Sequence, residues 1–144
     1  ASDVYKRQRS ASGPVMWRLS RHAENLRDFI NHTYPARDKA SDGSIGDIAH
    51  ATRKSDHNPD PKTGIVRAVD IDADLYPDAK DHTEAHRLAD TIRSWGKNGD
   101  RPVAYVIFAG KIASARKGWQ WRPYTGTNPH LHHIHVSFKK AKGE

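Results

Sequence analysis

Four of the ten histidines in this 144-residue chain fall within six consecutive positions, His130-Leu131-His132-His133-Ile134-His135. The stretch continues as Val136-Ser137-Phe138 and alternates with the two-residue period of a strand. On such a strand Ile134, Val136 and Phe138 share one face, and His133, His135 and Ser137 share the other. Two imidazoles two residues apart on one strand face can reach a single metal ion, whereas on a helix that spacing would point them apart. The chain has no cysteine, so a metal here must be held by histidine and carboxylate. A catalytic zinc needs three protein groups and one open position. Two candidates lie upstream. His57 sits in the turn-rich loop Lys54-Ser55-Asp56-His57-Asn58-Pro59-Asp60-Pro61-Lys62-Thr63-Gly64, and Asp70 emerges from the apolar run 65–72. A carboxylate in an apolar strand has to be paired, ligated or at the strand end.

The elements that would position these groups can be read from periodicity. Leu19, Ala23, Leu26 and Ile30 recur at helical spacing, with Ser20 as N-cap and Tyr34-Pro35 ending the run. Ile45, Ile48 and Thr52 suggest a second, shorter helix running towards Arg53. Asp81 with Glu84 has the form of a capping box, followed by the stripe Ala85, Leu88, Ile92 and Trp95 and a stop at Gly96. Residues 65–72 and 103–108 read as strands, the second turning at Gly110 into a hairpin with Ile112, and Trp119-Gln120-Trp121 as a short strand. Residues 1–15 are polar, carry Gly13-Pro14 and show no periodicity, so a flexible tail is expected there. The remainder, 16–144, is expected to be one domain of the α+β class, with a small, mostly antiparallel sheet and about three helices.

Composition bounds the function more loosely. The net charge is +7 and the mean hydropathy is −0.88, which suits a polyanionic partner such as nucleic acid, anionic lipid or an anionic cell wall. The longest apolar run, 103–109, is far too short to span a bilayer, so no membrane insertion is expected. No apolar signal segment opens the chain.

Three short motifs, in order, carry a resemblance: Ser55-x-His57, then Ala68-Val69-Asp70-Ile71, then His133-Ile134-His135-Val136-Ser137. Together they resemble a group of zinc peptidases. The group contains D-alanyl-D-alanine carboxypeptidases, phage L-alanyl-D-glutamate endolysins, penicillin-insensitive murein endopeptidases and the hedgehog signalling domain. The likeness runs from about Trp17 to Phe138. It looks closest to endolysin-type domains carrying Ser-Asp-His-Asn-Pro and Trp-x-Trp-Arg-Pro-Tyr-Thr-Gly-x-Asn-Pro-His. The resemblance implies a Zn2+ held by His57, Asp70 and His135, with His133 lining the site and stabilising the transition state. The segment from His57 to Asp70 is longer than the family spacing, with 58–64 reading as an inserted turn. Asp72 is therefore an alternative ligand, although Ala68-Val69-Asp70-Ile71 favours Asp70.

Many members place a glutamate before the last His-x-His as general base. This chain has His130 there, giving His-x-x-His-x-His as in the murein endopeptidases, so His130 or His133 would handle the proton. His132 is out of phase and is expected not to ligate. Arg53 would stabilise an oxyanion or grip a substrate carboxylate, Ser55, Trp121 and Tyr124 would contact substrate, and Asp56 would orient His57 or cap its turn. Zinc in such a site lowers the pKa of a bound water to about 7.

The resemblance thus implies a zinc metallopeptidase of peptidoglycan, either an endopeptidase or a D,D-carboxypeptidase, acting as a monomer. Its substrates would be stem or cross-link peptides of the anionic bacterial wall, reached as a phage lytic enzyme or a secreted one. Loop shape decides which bond is cut. Two other classes remain in view. One is a metal-dependent His-Asn-His-like nuclease, suggested by Ser55-Asp56-His57-Asn58-Pro59 and the charge, although that module holds its ligands locally and makes nucleic acid the weaker partner. The other is a zinc-holding domain without turnover.

Overall fold

The computed structural model describes residues 6–10, 13–44, 55–78 and 81–144. Their architecture is α+β: two helices packed on one face of a five-stranded antiparallel sheet, with a smaller three-stranded sheet beside it. The chain order is β1 (Lys6–Ser10), β2 (Gly13–Leu19), α1 (Arg21–Thr33), β3 (Ile65–Val66), β4 (Ala68–Asp72), α2 (Thr83–Asn98), β5 (Val103–Phe108), β6 (Lys111–Ser114), β7 (Arg122–Pro123) and β8 (His133–Phe138). The larger sheet has the order β4-β8-β5-β6-β7, which puts the histidine strand β8 between β4 and β5. The expected helix at 45–53 lies outside the described residues.

Strand register sorts the side chains. Val69 pairs with Val136 and Ile71 with Ile134 across β4 and β8, and Val106 pairs with Val136 across β5 and β8. Directly opposed residues share a face, so these apolar groups form one layer. It packs on Ala23, Leu26 and Ile30 of α1 and Ala85, Leu88, Ala89 and Ile92 of α2, all buried in one core. The same alternation sends Asp70, Asp72, His133, His135, Ser137, Tyr105 and Ile107 to the other face, which carries no helix among the described residues. The two-residue period separates core from chemistry.

Several local expectations are corrected. Residues 6–10 and 13–19 pair as an antiparallel hairpin where a tail was expected, and β2 continues in parallel pairing with β3. The run 65–72 is two strands, not one. It breaks at Arg67, which bonds Asp60 and the carbonyl of Glu144, so that β3 joins the small sheet and β4 the large one. Trp119-Gln120-Trp121 is not a strand: Trp119 has φ +64 after Gly118 at φ +67, and pairing resumes only at Arg122. Helix α2 runs past Gly96 to Asn98 and ends on Gly99 in the left-handed conformation. Gly96 is needed inside the helix because a Cβ there would lie 2.5 Å from the indole of Trp119, which belongs to the core. The capping box is half formed. Asp81 accepts from the Thr83 amide, but Glu84 accepts from the Tyr34 hydroxyl instead of reaching back. Likewise Ser20 makes no side-chain cap; its hydroxyl bonds Glu144, whose carboxylate also accepts from the Arg21 amide at the start of α1.

Candidate metal centre

Asp70 and His135 are brought together by register alone, because they are the directly opposed pair on β4 and β8. The outer edge of β4 is fixed from the other side. Gly43 exchanges both backbone hydrogen bonds with Asp70, and Asp42 accepts from the Asp72 amide. Asp42 is in turn clamped by two bonds from Arg37, a buried guanidinium that also reaches Asn31 on α1. A bidentate Arg–carboxylate pair holds both position and angle.

His57 comes from the loop folded over this face. The Ser55 hydroxyl accepts from the His57 amide and its carbonyl from the Asn58 amide, which makes Ser-x-His a tight turn. The extra residues after it fold back on themselves. Thr63 and Gly64 both donate to the Asp60 carbonyl, Lys62 donates to the Asp60 carboxylate, and Gly64 has φ +73. The longer spacing between His57 and Asp70 is thus absorbed in a closed turn and does not displace either residue.

Three donor atoms converge. His57 Nε2 lies 3.1 Å from Asp70 Oδ1 and 3.1 Å from His135 Nδ1, and His135 Nδ1 lies 3.2 Å from the same oxygen. His57 and His135 are buried, and their rings meet edge to face. Each ring's other nitrogen is engaged away from the triangle, His57 Nδ1 with the Ser44 carbonyl at 2.8 Å and His135 Nε2 with the Ser137 hydroxyl at 2.8 Å. A carbonyl can only accept, so His57 carries its proton on Nδ1; the Ser137 hydroxyl can accept from His135 Nε2, and in that tautomer Nδ1 carries the lone pair. Both inward nitrogens then present lone pairs to each other and to a carboxylate oxygen, an arrangement that repels unless a cation stands among them.

The spacing fits such a cation. Zinc bonds of 2.0–2.2 Å to nitrogen and oxygen imply tetrahedral donor–donor edges of about 3.3–3.5 Å, close to the triangle observed. Two nitrogens and one carboxylate oxygen, each ring held by an outward bond, are a donor set that could hold a metal ion. Titration points the same way. Burial opposes charge on Asp70, but the two histidines outweigh it and hold the carboxyl well below its usual range. Burial also opposes an imidazolium at His57, yet Asp70 and the Ser44 carbonyl raise its pKa above 6.5. Burial lowers that of His135, helped by the charge of His57. The cluster attracts positive charge.

Asp72 is not a ligand of this triangle. Its carboxylate accepts from the backbone amides of Ser41 and Asp74 and braces the loop that carries Ser44. His132 is exposed, as its phase requires.

The triangle opens on a cleft of about 310 Å³ lined by Ser55, His57, Tyr105, Ile107, Tyr124, Gly126, Thr127, Asn128, His130 and His135. Of the expected substrate contacts, Ser55 and Tyr124 line it, while Trp121 does not. Its indole donates to Asp90 of α2, and it borders a separate cavity with His86, Phe108 and Lys111. Arg53 lies outside the described residues. His133 Nε2 stands 3.5 Å from the second carboxylate oxygen of Asp70, and His130 packs edge-on against His133, His135 and Tyr124. Burial, then the charges of His135 and His133, push the pKa of His130 down to about 4. Near neutrality it is an uncharged imidazole.

Sequence reasoning missed Tyr105, which the β5–β8 register places beside the site. Its ring stacks on His135 at 5.4 Å, and its hydroxyl donates to Asp56 at 2.7 Å. His135 is thus held by the Ser137 hydroxyl at Nε2 and by the stacked ring of Tyr105, whose own hydroxyl is tied to Asp56. Asp56 therefore bears on the site by accepting from Tyr105. The available signal was a single tyrosine in an otherwise apolar strand.

No family model matches the chain, and no curated protein or solved structure matches it either.

Proposed function

We propose that the protein is a zinc-dependent peptidase of bacterial cell-wall peptides, endolysin-like in its action. The observation that carries the reading is the triangle of His57 Nε2, Asp70 Oδ1 and His135 Nδ1, with edges of 3.1–3.2 Å, at the base of an open cleft. The order of the three short motifs supports the substrate class, and the net charge of +7 suits an anionic wall that concentrates the enzyme before a small site engages a peptide.

In this reading His57, Asp70 and His135 hold zinc, which when bound supplies Lewis acidity and a water of lowered pKa. Ser44 and Ser137 keep the two rings in their ligating tautomers. His133 is the proton carrier, because its Nε2 faces the free oxygen of Asp70 from a partly open position. His130, neutral and buried, serves as a hydrogen-bonding wall for the reacting carbonyl, and Tyr124 and Ile107 supply apolar surface for the peptide.

The test is clearing of purified cell walls. Activity that is lost on chelation, restored by zinc and absent in His135→Ala supports the proposal, and mass spectrometry of the released muropeptides names the bond. Plasmid nicking without wall clearing would overturn it in favour of a nuclease. One equivalent of bound zinc with neither activity would make the chain a non-catalytic zinc-holding domain.

A further inference from the structure

Asp70 uses one carboxylate oxygen in the triangle and turns the other towards His133, and a ring nitrogen of His130 falls within 4.8 Å of the donor atoms of both. We infer that His130, His133 and Asp70 form a second cation site, adjoining the first through the shared carboxylate and filled by a second zinc. The inference rests on the metal-centre reading of the triangle, but not on the identity of the substrate.

Three observations carry it. The set offers two imidazoles and a carboxylate, the same donor chemistry as the triangle beside it. The Nδ1 of His130 is buried without a hydrogen-bond partner, which is uncommon for a buried polar atom and leaves the ring with unused capacity. His130 is also held in a left-handed backbone conformation, φ +57, which a non-glycine residue rarely adopts. Two bonds hold it: the His130 amide donates to the Asn128 side chain, and its carbonyl accepts from Ala109 in the turn between β5 and β6. The backbone is thus constrained at the residue whose ring closes the second donor set.

This site should be the weaker. The first cation repels the second, and among the described residues neither His130 nor His133 shows the outward bond that orients the triangle's rings. Missing outer-shell support of that kind weakens metal binding ~10–100-fold. Since His133 is the proton carrier of the proposed reaction, filling the second site would inhibit, and excess zinc would switch the enzyme off.

Zinc titration of the metal-free chain by calorimetry and by competition with a chromophoric chelator tests this without reference to turnover. Two equivalents are expected, the second at least ~10-fold weaker. His133→Ala should lose only the second. His130→Asn, which suits a left-handed backbone, should do the same with the fold retained by circular dichroism. His57→Ala should lose the tight equivalent. A single equivalent at all zinc concentrations would overturn the inference while leaving the triangle standing, as would a second equivalent that survives both His130→Asn and His133→Ala. Binding of no zinc at all would instead remove the metal-centre reading itself.

Discussion

Replacing Ser137 by alanine tests whether the outward bond to His135 is what makes its Nδ1 a ligand. Ser137 is fully buried on β8, and its hydroxyl is 2.8 Å from His135 Nε2. In Ser137→Ala the Nε2 proton has no acceptor in a buried place, which costs about 1–3 kcal/mol of stability in the metal-free chain. The ring also becomes free to move its proton to Nδ1 and turn a donor into the triangle. Loss of an outer-shell partner lowers metal affinity about 10–100-fold, equivalent to about 1.4–2.7 kcal/mol at tenfold per 1.4 kcal/mol. The assay is competition for zinc against a chromophoric chelator, paired with thermal melts with and without zinc. The zinc-dependent part of the stabilisation should shrink by the same 1.4–2.7 kcal/mol or so at fixed free zinc. Tyr105→Phe keeps both the stack on His135 and the Ser137 hydroxyl and removes only the bond to Asp56, so its effect should be smaller. A folded Ser137→Ala that binds zinc within twofold of the parent would refute the argument, as would a larger loss in Tyr105→Phe.

Two further outcomes concern the scaffold. Gly96→Ala gains about 1 kcal/mol of helix propensity but forces a Cβ to within 2.5 Å of the Trp119 ring. The backbone of Trp119 is pinned by Ser114 and Arg93, so overpacking of about 1–3 kcal/mol should win, and the melting temperature should fall rather than rise. Burial raises the pKa of Glu144, but its bonds from Arg18, the Arg21 amide and Ser20 outweigh this and leave it below the ordinary 4.5. A depressed folded pKa gives stability that is present above pH 4.5 and lost as pH falls through the lower value. Glu144→Gln should therefore lose about 1 kcal/mol at neutral pH and show a flatter acid limb below pH 4.5 in denaturant titrations.

The fold was legible where one period ran undisturbed. The stripes of α1 and α2 and the alternation of β8 are visible as patterns because each buries one face against the same core. The breaks were harder to see. Arg67 sits among apolar residues that suggest a continuous strand, and only its bonds to Asp60 and Glu144, seven and 77 positions away, show why two sheets divide there. Trp121 looked like groove wall because aromatic residues near a small sheet serve either role. Its partner Asp90, on a distant helix, decides the matter.

The site shows the same boundary between local and distant information. Residue types and spacing nominate His57, Asp70 and His135, but they do not say that these atoms meet. That follows from one register. A slip of a single residue between β4 and β8 would set Asp70 against Ile134 or Val136 and send its carboxylate to the opposite face from His135. The choice between Asp70 and Asp72 is likewise made by pairing, since Asp72 opposes His133 and spends its carboxylate on the backbone of Ser41 and Asp74. The apolar face excludes any one-residue slip, because Val69 against Val136 and Ile71 against Ile134 are all buried and such a slip would turn one strand's pair away from the core. The candidate metal centre is therefore aligned from the back of the sheet, by residues with no part in its chemistry, because the pairing that buries Val69, Ile71, Ile134 and Val136 is the one that sets Asp70 opposite His135.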